Sequence, residues 1–96
     1  MGASYLAPKM GAMKKFRLSI YEPEQVLLRH WLIEKRKNVK LTQRQLAERL
    51  QVVHSLIGKV EKGERRLDII EFRTYCNALG IKPCDFFDFI DREGKA

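Results

Sequence analysis

The chain has 96 residues, which is one small domain and too little for an enzyme built on a barrel or a doubly wound sheet. A composition of 45% hydrophobic and 32% charged residues is globular rather than disordered, and no apolar run approaches the roughly 20 residues that span a bilayer. The formal charge is +7, and it is unevenly placed: residues 1–34 hold five basic and three acidic side chains, residues 35–66 ten and three, and residues 67–96 four and six. A field concentrated in the middle third suits a polyanionic partner, although a merely solvated basic surface has the same composition.

The first twenty residues differ from the rest. Met1–Ala12 carries Gly2, Pro8 and Gly11 and reads as a leader, without the apolar core of a secretion signal. Phe16, Leu18 and Ile20 alternate with Lys15, Arg17 and Ser19, the period of a short strand or an extended arm. Residues 21–92 form the expected domain, and residues 93–96 a tail.

From Glu22 onward the pattern is helical. Pro23 suits the first position of a helix, and Leu28, Trp31 and Leu32 share its inner face, ending near Lys37–Asn38. Thr42 and Gln45 form a capping box that opens a second helix, with Leu46, Ala47 and Leu50 inward and an end near Leu50–Gln51. The third helix starts near Val53, turns Ile57, Val60 and the stem of Glu61 inward, and stops at Lys62–Gly63. Asp68 with Glu71 caps a fourth, whose inner stripe is Ile69, Phe72, Cys76 and Leu79 and whose end is Gly80. Pro83 opens a fifth, holding Phe86, Phe87, Phe89 and Ile90. These elements predict an all-α fold of five short helices in a compact bundle.

The second and third helices meet across Leu50-Gln51-Val52-Val53, a joint tight enough for a helix-turn-helix. Ala47 lets the two backbones approach, while Leu46, Leu50, Ile57 and Val60 interlock them. With Ile57 inward, Ser55, Gly58, Lys59 and Lys62 point outward and His54 stands at the exposed start. Presented N-terminal end first, such a helix fits a major groove about 12 Å wide. Lys59 matches the guanine O6 and N7 acceptors, His54 a guanine acceptor, and Ser55 several bases. Gly58 leaves no side chain between helix and groove, against the alternative of drift at a surface position.

The segment from Leu41-Thr42-Gln43 through Leu46-Ala47, Val60-Glu61-Lys62-Gly63 and Gly63-Glu64-Arg65-Arg66-Leu67-Asp68 to Ala78-Leu79-Gly80 resembles the Cro/CI-type (XRE) helix-turn-helix regulators. The resemblance spans about residues 21–91. It implies a lambda repressor-like bundle that binds double-stranded DNA in the cytoplasm, with no cofactor and no catalysis. It assigns base contacts to His54, Ser55 and Lys59, a phosphate contact to Gln43, which also braces the third helix, and phosphate or minor-groove contacts to Arg65 and Arg66; Arg44 and Lys62 are further basic candidates for phosphate contact. Two positions depart from the pattern. Val53 replaces the Ser or Thr that caps the third helix in many members, so a helix-end amide needs another partner. Lys40 stands where a Gly often precedes the Leu-Thr-Gln run.

The aromatic fifth helix predicts a homodimer through Phe86, Phe89 and Ile90, since so apolar a terminal helix leaves an exposed patch in a monomer. The competing expectation is that these residues all turn inward. A dimer would act as a repressor on an inverted repeat. The alternative function is an antitoxin or other protein-binding module, gripping a partner through the fifth helix or residues 16–20. Asp68 and Glu71 are explained as helix caps, and Cys76, Cys84, His30 and His54 lack metal-ligand spacing.

Overall fold

The computed structural model describes residues 23–93, so the expected arm at Phe16–Ile20 and the end of the tail lie outside the described residues. Five α-helices follow in order: α1 (Pro23–Asn38), α2 (Gln43–Leu50), α3 (His54–Lys62), α4 (Ile69–Leu79) and α5 (Pro83–Glu93). No strand occurs among the described residues.

Local chemistry sets the ends. Thr42 accepts a hydrogen bond from the Gln45 amide at 3.0 Å, and the Gln45 side chain accepts from the Thr42 amide at 2.9 Å. Asp68 and Glu71 make the same reciprocal pair at α4, at 2.7 and 3.0 Å. Each box satisfies two amides that a helix start leaves without partners. At the other ends, Gly63 and Gly80 take left-handed φ values of 85° and 76° and turn the chain out of α3 and α4.

Two residues with side chains do the same work. Gln51 ends α2 at φ 58°, and Lys40 precedes Leu41 at φ 61°. Lys40 thus adopts the backbone that a glycine would reach at less steric cost. The turn it makes is held by its own amide on the Lys37 carbonyl at 2.9 Å and by the Leu41 amide on the Arg36 carbonyl at 3.2 Å.

The core unites Trp31 and Leu32 of α1, Leu46 and Ala47 of α2, Ile57 and Val60 of α3, Phe72, Tyr75, Cys76 and Leu79 of α4, and Phe86 of α5. Ala47 is 2% exposed where α2 and α3 cross, the pair most extensively packed. Trp31, Phe72 and Phe86 form an aromatic triangle with ring centroids 5.2 to 6.4 Å apart, in tilted and edge-on arrangements that suit the ring quadrupoles.

The triangle corrects one expectation. Phe86, assigned to a subunit interface, is 5% exposed and serves the core of its own chain. A single residue step separates inward from outward here: Phe87 is 46% exposed, while Phe89 and Ile90 are half-buried against the core. The inward stripe of α4 shifts similarly. Ile69 is 67% exposed, and Tyr75 is buried beside Phe72, Cys76 and Leu79.

Candidate nucleic-acid interface

The position of α3 is set by a charged cluster at its base. Arg36, 8% exposed on α1, donates from Nε to Glu61 Oε2 at 2.7 Å and from Nη2 to Glu61 Oε1 at 3.1 Å. Its Nη1 donates to the Leu41 carbonyl at 2.7 Å. Gln43, in the first turn of α2, donates from Nε2 to the same Glu61 Oε1 at 2.8 Å. One carboxylate of α3 is therefore tied to α1, and to α2 through Gln43. Two-pronged Arg–carboxylate pairing fixes orientation as well as distance, and the satisfied lone pairs offset the desolvation of a pair this buried.

Arg36 is one of the ten basic side chains of the middle third, and nothing in its local sequence separates it from the others. Its true role was signalled by Glu61, a carboxylate on an inward helix face that needs a cationic partner. Other members of the field are also engaged. Arg49 donates to the Ala78 carbonyl at 2.9 Å, tying α2 to the end of α4, and Lys35 lies 5.6 Å from the Trp31 ring centre.

Arg65, half-buried in the loop after α3, donates from Nη1 and Nη2 to the two Glu71 oxygens at 3.2 and 2.7 Å. That hydrogen bonding raises the Arg65 pKa and lowers that of Glu71, whose bond from the Asp68 amide acts in the same direction. Glu71 thus caps α4 and pins the loop at once.

The tip of α3 contrasts with these anchored groups. Val53 has the extended φ and ψ of a helix cap, −71° and 147°, but no side-chain hydrogen bond closes the start of α3. His54, Ser55 and Lys59 are exposed, as are Lys62, Arg44 and Arg66. Positions 55, 59 and 62 follow one another at helical spacing on one face. Gly58 is half-buried, and a Cβ there would lie 3.7 Å from Gln43 Oε1, an ordinary contact. The Gln43 side chain thus lies along α3 between positions 58 and 61. Its amide has a second N–H beyond the one given to Glu61. Gly63 closes the helix where the Arg29 guanidinium would stand 2.5 Å from an added Cβ.

The arrangement is a short helix seated on an uncharged core by a buried ion pair, with a polar and basic outer face presented by its N-terminal end. Residues 32–86 match the helix-turn-helix family model. The chain belongs to the XRE-type helix-turn-helix family. A solved structure, that of an XRE-family like protein from Pseudomonas syringae pv. tomato str. DC3000, is 34% identical to it. That match covers 77% of this chain and 92% of the other, with a TM-score of 0.71. No curated protein sequence compared with the chain matches it. XRE-type domains are DNA-binding regulators, and α3 is the second helix of the motif, the one that such a domain lays in the major groove. Among the described residues, no group of His, Cys, Asp and Glu is arranged to hold a metal ion, and no helix is long and apolar enough to cross a membrane.

Proposed function

We propose that the protein is a sequence-specific repressor that reads an inverted-repeat operator as a homodimer, one α3 in each half-site. The exposed run of His54, Ser55 and Lys59 on a helix locked at its base by Arg36, Glu61 and Gln43 is the observation that supports this. Lys59 and His54 donate to guanine acceptors, and Ser55 adapts to several bases. Gln43, Arg44, Lys62, Arg65 and Arg66 reach the phosphates, which supplies the salt-dependent part of affinity. Arg65 exchanges its Glu71 contact for a phosphate oxygen as it does so.

The homodimer is supported by apolar exposure along α5. Phe87 lies open on a shallow apolar groove of ≈ 190 Å³ lined in part by Leu28, Ile69 and Phe72, and Phe89 and Ile90 on the same helix are only half-buried. Two copies joined there would carry their reading helices to half-sites about 34–36 Å apart on one face of the duplex.

Selection of bound sequences from random duplex DNA tests the reading. It is expected to return a palindromic consensus; recovery of no consensus contradicts it. Sedimentation at micromolar concentration tests the dimer, and a strict monomer removes it.

A further inference from the structure

We propose that Val53 is a specificity-determining residue whose isopropyl group reads the 5-methyl group of one thymine in each half-site. The inference rests on the reading of α3 as the base-contacting helix.

Among the described residues, Thr42, Val53 and Asp68 each precede a helix in cap geometry, and of these three Val53 lacks a capping side chain. Thr42, at φ −78° and ψ 167°, and Asp68, at φ −79° and ψ 178°, both accept an amide hydrogen bond and both complete reciprocal boxes. Val53 has nearly the same backbone, and its carbonyl accepts from the Leu56 amide at 3.1 Å. A Ser, Thr or Asp at 53 would therefore cap α3 without any change of backbone. The valine is not demanded by the local conformation.

Packing does not demand it either. Val53 is 69% exposed, the highest value among the exposed large hydrophobics of the described residues, and it is absent from both the core and the apolar shell around it. Nor does it line the apolar groove beside the motif. That groove is walled by Leu50, Val52, Leu56 and Ile70 together with Glu71, Thr74 and Tyr75. A protein partner filling the groove would thus leave Val53 outside its walls. Val53 follows Val52, which is 36% exposed and lines that groove, and it precedes the exposed His54 and Ser55 at the tip of α3.

An exposed apolar group at the tip of a base-reading helix, outside the neighbouring groove, has one matching feature in the major groove, the thymine methyl. Valine is suited to that contact because its branched side chain has few rotamers to lose. The side chain that would have closed the helix end is thus replaced by one that distinguishes thymine from cytosine at a single position. The neighbouring polar residues read hydrogen-bonding edges.

The test uses the full chain and the operator recovered by selection, with each thymidine replaced in turn by deoxyuridine, which removes one methyl and leaves every hydrogen-bonding group. Wild-type protein is expected to lose about fourfold in affinity at one thymine per half-site, the effect of one buried methyl. Val53→Ser is expected to bind the thymine and uracil duplexes equally at that position, and Val53→Ala to discriminate less than wild type, while circular dichroism shows each still folded. A flat wild-type profile on an operator that is otherwise bound specifically overturns the inference alone. So does a Val53→Ser protein that keeps the full discrimination. Failure to bind any duplex specifically overturns the reading of α3 on which it rests.

Discussion

Arg36 and Glu61, 25 residues apart, form a bidentate ion pair with side chains only 10% and 6% exposed, and this pair fixes α3 against α1. Both side chains are buried, so on the proposed reading of α3 they act on DNA binding through the orientation of that helix.

Removing one partner leaves the other charge buried. Glu61→Ala is expected to destabilise the domain by about 3–5 kcal/mol, much of the stability of a chain this size. Pairing it with Arg36→Met is expected to recover part of that loss, because the orphaned cation is gone. Urea denaturation of the two single variants and the double variant checks this; additive losses would contradict the coupling.

Gly58 separates stability from recognition. A Cβ there meets only Gln43 Oε1, at 3.7 Å, so Gly58→Ala is expected to fold and to gain about 1 kcal/mol from helix propensity. If the glycine admits the duplex close to α3, operator affinity falls while the melting temperature rises. Titration beside thermal melting checks both, and unchanged affinity would make position 58 a plain surface site.

Val53→Ser is expected to raise stability by about 1 kcal/mol, since it supplies the missing cap in a backbone already shaped for one. Chemical denaturation measures the gain. A destabilised variant would mean that the isopropyl group has a packing role in the free protein.

Much of this architecture was legible because its signals are local. Thr42 with Gln45, Asp68 with Glu71, Gly63 and Gly80, and Pro23 and Pro83 each mark a helix end within four residues, and the structure puts the ends there. What escaped depends on distant partners or small rotations. Arg36 lies in a basic stretch and looks solvated until Glu61 is brought beside it. Phe86 and Phe87 are adjacent aromatics about 100° apart on a helix, and an apolar run does not tell which one meets Trp31. Glu71 was read as a cap, but its hold on Arg65 across the loop needs the turn after Gly63.

That hold makes one end of the domain sensitive to acid. The Glu71 pKa is lowered in the folded state, first by the Arg65 hydrogen bond and then by the Asp68 amide. A depressed carboxylate stabilises fully above its unfolded value, near 4.5, and loses that contribution as pH falls through the folded value. Melting temperature against pH is expected to drop less steeply below that point for Glu71→Gln than for wild type. Parallel curves would remove Glu71 as the responsible group.

The two thiols are expected to differ. Cys76 is fully buried, and burial, aided by the Asp85 charge, pushes its pKa up to about 12, while Cys84 is exposed. The thiolate is the reactive form. A thiol reagent is therefore expected to label Cys84 in the native protein and Cys76 only after denaturation, and mass spectrometry of Cys84→Ser checks it. Rapid native labelling of Cys76 would contradict the packing of α4.

The division of labour between helix tip and loop is tested most directly by titrating Lys59→Ala and Arg66→Ala against the selected operator and its single-base variants over a range of salt. Lys59→Ala should lose about 1–3 kcal/mol of discrimination at one base pair per half-site, and Arg66→Ala should weaken every sequence alike with a shallower salt slope. Two variants that lose affinity uniformly, or a Lys59→Ala protein with unchanged base preference, would contradict the placing of α3 against the bases.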